Sequence, residues 1–507
     1  MGCMANLAAG EQSGNFTYVD NGSTVTITDY PTNATGVVDI PQSILDPVTL
    51  LQDPVVGIGF EAFRDCIQIT GVSIPSGVTS IGNNAFYNCA GLTNVSISPG
   101  VIGLSIGTYA FYNCQALTGM SLPSGVTTIR ANAFYFCRGM TSVTIPASVT
   151  TIEAGAFYSC SGLTSVVVPS GITSIAGGVF YSCSGLTSVT IPSTVTGIGL
   201  EAFRYCSGLT SVTLPPNLTT LGNRAFANCR GLTAITIPAT VTSIGTDVFS
   251  ICSALTSITV ADANLHYSSS PDGVLFNEAQ TTLIAFPAGK GGGYSIPATV
   301  TSIGSKAFFT CEKLVGVTLP VDLFSIGTQA FSTCGSLRYA NFTGNAPDII
   351  SNVFELAAPG FAVYYLSTAQ DFTTPTWSIF EYPAFEMGAN GTPGSNWLLS
   401  KGLPANSAML SDSDGDGVNL LMAYALNLDP FANLTKKVPQ PVFGTGQMSL
   451  SYFAGNNAVT YSVKTSTDMV DWTETGVSLS APDTSQMRTA TVVAPGGNRF
   501  MRLEVSH

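Results

Sequence analysis

Charge is scarce in this chain: Asp, Glu, Lys and Arg make up 9% of its 507 residues, and 17 basic residues against 30 acidic ones give a formal charge of −13. A surface so poor in Lys and Arg offers no basic stripe to release counterions from a phosphate backbone, which excludes nucleic acid as a partner. Histidine is scarcer still. Only His266 and His507 occur, so a His-rich metal centre cannot be built, and a Ser/His/Asp or Cys/His nucleophilic site would have to rest on His266. No apolar run approaches the 18 or so residues of a membrane-spanning helix. Residues 1–6 show neither the basic n-region nor the apolar h-region of a signal peptide, and Cys3 lacks the upstream residues of a lipidation signal. With 45% hydrophobic residues the chain has enough apolar surface to fold.

What is abundant is self-similarity. Phenylalanine recurs at Phe63, Phe86, Phe111, Phe134, Phe157, Phe180, Phe203, Phe226, Phe249, Phe308, Phe331 and Phe354. Every step is 23 residues except 25 from Phe86 to Phe111 and 59 from Phe249 to Phe308, which locates two insertions. Within one unit, 186–192 (LTSVTIP) alternates apolar with small hydroxyl residues, the period of a strand with one buried face, and Leu186, Val189 and Ile191 are expected to point inward. Pro192 ends it, having no N–H for a ladder. A second inward set follows at Val195, Ile198, Phe203 and Cys206. One turn cannot bury these side chains alone; turns stacked about 4.8 Å apart can, and twelve would span about 60 Å.

A unit reading close to L-T-S-V-T-I-P-x-x-V-T-S-I-G-x-x-A-F-x-x-C, repeated over about residues 37–387, resembles the BspA-like leucine-rich-repeat family of bacterial surface proteins. The resemblance implies a solenoid with a parallel β-ladder and a short helical or irregular convex side. It also implies a secreted or cell-surface protein that binds or adheres, without naming a ligand. Residues 272–277 and 282–287 look like the β-island that interrupts such arrays, placed here near 261–297.

Eleven of the twelve cysteines sit three residues after a marker phenylalanine, from Cys66 to Cys334. They form no C-x-x-C pair and have no histidine beside them, and a convex-side spacing wider than that of the strands would keep neighbours from bridging, so they are expected as buried free thiols. Two surface columns are candidate binding sites. The outward strand positions Ser142/Thr144, Ser165/Val167, Ser188/Thr190, Ser211/Thr213 and Ala234/Thr236 make a nearly chargeless hydroxyl face. Tyr87, Tyr112, Tyr135, Tyr158 and Tyr181 form a stripe that either stacks a sugar or grips a partner, or else packs as a half-buried aromatic ladder. Scattered acids such as Asp65, Glu153, Glu201 and Asp247 form no pair across a cleft, which argues against a glycosidase.

The ends of a solenoid need covers. Residues 1–36 are expected as an N-terminal cap with a hairpin about Asn21-Gly22, and the aromatics from Phe361 to Phe385 as a C-terminal cap. After a linker starting at 388, the Asp412/Asp414/Asp416 alternation with a glycine turn resembles the first half of a dockerin-like or EF-hand-like calcium loop, the Val418 carbonyl taking the backbone position. Ala423 stands where the closing bidentate Glu belongs, so Ca²⁺ affinity is expected to be modest. Residues 388–435 are taken as this module and 436–507 as a small antiparallel β-domain, with Trp472 in its core. The combined expectation is a non-enzymatic, exported scaffold binding an extracellular protein or glycan. The alternatives are a surface spacer without a ligand and, last, a carbohydrate-active enzyme.

Overall fold

The computed structural model describes residues 11–46, 49–349, 351–373, 376–378 and 380–387, together with 442–444, 447–453, 460–466, 477–482, 487–493 and 500–506. Among these no helix occurs; the secondary structure is strand and turn. The repeat folds as a parallel solenoid of about 14 turns, two more than the marker phenylalanines count. The extra turns are carried by Val25–Asp29, the second strand of the N-terminal hairpin, which pairs in parallel with Gln52–Ile58, and by Thr282–Ala285, which pairs in parallel with Ser302–Ile303. Tyr30 and Phe286 stand in for the marker in those turns, stacking on Phe63 at 5.0 Å and on Phe308 at 4.8 Å. The β-island is therefore shorter than the expected 261–297. It is essentially the hairpin of Tyr267–Ser269 and Leu275–Asn277, after which the chain rejoins the array.

A typical turn contributes a longer strand, such as Ser165–Val167, and a two-residue strand, such as Ser174–Ile175, both here in register with the next turn. Threonine holds the entrances to both. The Thr141 hydroxyl and amide both donate to the Thr118 carbonyl (3.0 and 2.8 Å), and Thr164 and Thr187 repeat this bond on the preceding turn. Thr219 does the same to Thr196 before the short strands, at 2.9 Å. The recurrent threonine of the repeat is thus a hydrogen-bonded column from Thr70 to Thr256 that offsets the loss of water from these hydroxyls.

The convex side is neither helical nor irregular. It is a ribbon of turns joined by its own ladder: Asn84, Phe86 and Asn88 donate their amides to the carbonyls of Thr108, Ala110 and Tyr112 at 2.9, 2.7 and 2.7 Å. The amides between them turn back three residues, Tyr87 to Asn84 and Cys89 to Phe86. The pattern requires left-handed backbone at the second residue before and after each marker, as at Asn84 (φ 56°) and Asn88 (φ 59°), and this is what stops a helix from forming. It also means that the turns are no further apart here than at the strands, so the wide convex spacing expected above does not hold. The thiols are nevertheless free and buried, as expected. Each Sγ donates to the carbonyl of the marker one turn earlier, Cys89 to Phe63 at 3.0 Å and Cys160 to Phe134 at 3.1 Å, so the column is saturated by the backbone.

Apolar burial follows the repeat. Phe63 through Phe226 are essentially fully buried, stacked face to face at 4.9–5.8 Å between Phe63 and Phe226. Leu186 is buried, whereas Val189 and Ile191 are only half-buried where they pack on the core. A bare Cα is needed at Gly162, because a Cβ there would lie 2.6 Å from the Arg138 carbonyl oxygen of the turn before. The core runs in two stretches, 18–275 and 274–384, meeting at the island. The far end is closed by the expected aromatic cap: Trp377 and Phe372 pack edge-on against Phe342 at 5.3 and 5.1 Å, and Phe361 and Tyr382 pack against Phe354. The N-terminal hairpin forms as expected, with Asp20 opposite Val25.

Within 442–506 the strands are antiparallel. Gln447–Phe453 pairs with Val442–Gly444 and Met487–Val493, the latter with Val477–Leu479, and Thr460–Ser466 pairs with Phe500–Ser506. Leu450, Tyr452, Val463 and Ala490 are buried there. Trp472 lies outside the described residues, as do Asp412, Asp414, Asp416 and Val418.

Candidate functional site

The tyrosine column sits one residue after the marker, on the ribbon, and is half-buried throughout. Its rings stack on one another: centroids are 4.5 Å apart for Tyr87–Tyr112, 5.4 Å for Tyr112–Tyr135, 4.3 Å for Tyr135–Tyr158 and 4.2 Å for Tyr158–Tyr181. Arginines close both ends, the Arg64 guanidinium lying 4.9 Å from the Tyr87 centroid and that of Arg204 5.8 Å from Tyr181. The ring faces are covered by each other and by these cations, so the column presents edges and hydroxyls outward. Burial, and after it the Tyr181 hydroxyl, pushes the Tyr158 phenol up; burial followed by Tyr87 does the same at Tyr112. The Tyr112 and Tyr158 phenols therefore stay neutral donors and acceptors at physiological pH.

The scattered acids are tied into structural pairs. Arg204 bonds Glu201 at 2.6 Å, Arg224 reaches both Glu201 (3.3 Å) and Asp247 (3.5 Å), and Lys306 reaches Asp247 at 2.9 Å across the island. Asp65 accepts from Asn88 at 2.8 Å, and Glu153 from the Ala131 amide at 2.9 Å. His266 is exposed on the island.

The strand face differs in kind. Ser142, Thr144, Ser165, Ser188, Thr190, Ser211 and Thr213 are exposed, and their hydroxyls make no hydrogen bond to any described residue, in contrast to the threonines of the flanking columns. The face is also interrupted. Gly119–Ser121 pairs with Ser142–Thr144, Ser165–Val167 with Ser188–Thr190 and Ala234–Ile237 with Ser257–Val260, but these pairs do not join, and 211–213 forms no strand. Between 212–216 and 234–239 the turns part around an open cavity of about 590 Å³ lined by Val212, Leu214, Pro216, Ile235 and Pro238, with Thr213 and Thr236 at its rim. Sequence periodicity could not show this opening, because the residues on either side keep the motif. The doubled Pro215-Pro216 is the one local departure.

A model of the BspA type leucine-rich-repeat region matches residues 56–187, 173–289 and 292–359, more than half of the chain. The chain belongs to the BspA-type leucine-rich-repeat family. Among solved structures, this BspA-type chain is similar to a leucine-rich cell-surface protein of Faecalibacterium prausnitzii, at 26% identity over 78% of this chain and 98% of that one, with a TM-score of 0.44. A leucine-rich-repeat protein of Bacteroides ovatus is 23% identical over 66% of this chain and 94% of that one (TM-score 0.47), and one of T. pallidum 30% identical over 39% and 90% (TM-score 0.36). No curated protein matches. BspA-type proteins are typically bacterial surface proteins, and leucine-rich-repeat arrays are typically non-enzymatic scaffolds. No helix among the described residues is long and apolar enough to cross a membrane.

Proposed function

We propose that this BspA-type array is an exported scaffold that binds an extracellular protein or glycan on its strand face. The observation that carries the reading is the set of exposed hydroxyls without partners in the fold, repeated over the four turns from Ser142 to Thr213 beside an apolar opening. Rows of Ser and Thr offer donors and acceptors to sugar hydroxyls or a peptide backbone, and the opening between 212–216 and 234–239 gives an apolar group of the ligand a place to be desolvated. The tyrosine column adds edges and phenol hydroxyls as a second contact surface, and the tail loop at Asp412, Asp414, Asp416 and Val418 holds Ca²⁺ with modest affinity.

The test is a screen of the full chain against glycan and extracellular-protein panels, with calcium and with chelator. Saturable binding that is lost in Ala234→Trp, which fills the opening, and in Thr190→Lys/Thr213→Lys supports the strand face. Loss on Tyr135→Ala/Tyr158→Ala/Tyr181→Ala with the strand variants intact would move the site to the tyrosine column. Silence from a folded chain would favour a surface spacer.

A further inference from the structure

The chain contains no Lys, Arg or His before Arg64, while seven acidic residues, Glu11, Asp20, Asp29, Asp39, Asp46, Asp53 and Glu61, precede it. Three of these acids are drawn together by the fold of the N-terminal cap. Asp20 ends the strand Phe16–Asp20, Asp46 follows the strand Ser43–Leu45, and Asp53 is the second residue of Gln52–Ile58. Gln52–Ile58 is the shared neighbour: it pairs antiparallel with Ser43–Leu45, setting Ile44 opposite Asp53, and parallel with Val25–Asp29, the hairpin partner of Phe16–Asp20. One carboxylate oxygen from each of Asp20, Asp46 and Asp53 lies within 4.8 Å of the others.

Asp53 is the anomalous member. Strand alternation puts it on the inward side with Val55, and it is only 7% exposed. Asp46, 6% exposed, accepts from the Thr49 amide at 3.1 Å and from the Thr49 hydroxyl, and Asp20 from the Gly22 amide at 2.6 Å. The Asp53 carboxyl has no hydrogen-bond partner among the described residues, although it is nine-tenths buried and turned into the group. A buried carboxylate without a partner and beside two like charges is unfavourable unless a cation joins it. Burial, and after it the charges of Asp20 and Asp46, pushes the Asp53 carboxyl above its usual range, as expected of a group lacking its counter-ion.

We propose that Asp20, Asp46 and Asp53 bind a divalent cation of the hard, oxygen-preferring kind, with calcium as the ion of matching size, and that the ion ties the N-terminal cap to the first turns of the array. Calcium accepts a flexible shell of about six to eight oxygens, whereas magnesium demands near-ideal octahedral geometry and keeps its waters, so three carboxylates gathered from separate strands and a loop suit the larger ion. The site is separate from the tail loop and does not depend on the ligand reading above.

The experiment uses the full chain carrying Asp412→Ala/Asp416→Ala, which silences the tail loop, and titrates it calorimetrically with CaCl₂ alongside melts in CaCl₂ and in EDTA. One calcium per chain is expected to remain, with a rise in melting temperature. Asp53→Asn and, separately, Asp20→Asn, which keeps the acceptor for the Gly22 amide, are each expected to weaken binding at least tenfold. In EDTA, Asp53→Asn should melt no lower than its parent, because it removes an uncompensated charge. Absence of calcium heat and of a melting shift in the folded tail variant overturns the proposal, as does unchanged binding in Asp53→Asn.

Discussion

The thiol column makes the array sensitive to alkali in a way that can be counted. Burial pushes the thiols of Cys66, Cys183 and Cys252 up to about 12, and it is also the leading cause of the upward shifts at Cys114, Cys137, Cys160, Cys206, Cys229 and Cys311. At Cys89 the neighbouring Cys114 thiol leads and burial follows. In the unfolded chain a thiol titrates near 8.5. Above that pH the unfolded state has lost protons that the folded state keeps, so stability is full below about pH 8 and falls as pH rises through the window from 8.5 towards 12. At pH 9.5 the loss is about 1.4 kcal/mol per thiol, and each further pH unit costs about the same again. Five turns that unfold together would lose about 7 kcal/mol, comparable with the whole stability of an ordinary domain.

Because eleven of the turns carry one thiol each, the slope of unfolding free energy against pH reports how many of these turns unfold as a unit. Urea unfolding followed by circular dichroism, under reductant from pH 7.5 to 9.5, measures it below the range where tyrosine titrates in the unfolded chain. Cys160→Ala/Cys183→Ala/Cys206→Ala should flatten the slope by the share of three thiols. A urea midpoint unchanged between pH 7.5 and 9.5 would refute the reasoning.

Phe157 is fully buried between Phe134 and Phe180, with centroids at 5.3 and 5.8 Å, so Phe157→Ala should cost about 3–5 kcal/mol in urea unfolding. Tyr158→Ala, on the half-buried column, should cost about 1 kcal/mol, and equal losses would contradict the distinction between core and surface stacks. A thiol reagent at pH 7.5 should leave Cys66 through Cys334 unlabelled in the folded chain and label them all in urea; fast labelling of the native protein would mean that the column is open. Calorimetry of the unmodified chain should count two calcium ions, and Asp412→Ala/Asp416→Ala should reduce the count to one. An unchanged count would remove the tail loop as a site.

The repeat, its inward set and the buried thiols were legible because each is a one-residue-per-turn column with a clear chemical preference. The turn ribbon was not. Its left-handed positions are held by Glu201, Tyr205 and Ile251 as readily as by Asn84 and Asn88, and by glycine only at Gly155 and Gly178, so no regular glycine marks them. Ladder bonds between turns, which no local propensity records, select that conformation. Tyr30 and Phe286 were missed as markers because one lies in the cap and the other lies 37 residues after Phe249, outside the 23-residue step. The threonine columns looked like surface hydroxyls, since a sequence does not distinguish a Thr bonded to the turn before from one facing water. The acidic trio was hidden by its spacing, 26 and then 7 residues, although the absence of any basic residue before Arg64 was a signal in plain view.

Glycine follows six of the eleven repeat thiols by two residues, and where it does the molecule can change length by whole turns. Gly139 and Gly162 occupy equivalent places, their amides donating to Gln115 and Arg138 at 3.0 Å each. Excising 140–162 would join Gly139 to Leu163 in the seat now held by Met140, with the phenylalanine, threonine and thiol columns all still in register. The product would be shorter by one pitch, about 4.8 Å, with both end covers and both arginines that close the tyrosine stack retained. Recombination between units could therefore tune the reach of the molecule in steps of one turn without redesigning any interface, as links are taken from a chain whose clasps stay the same.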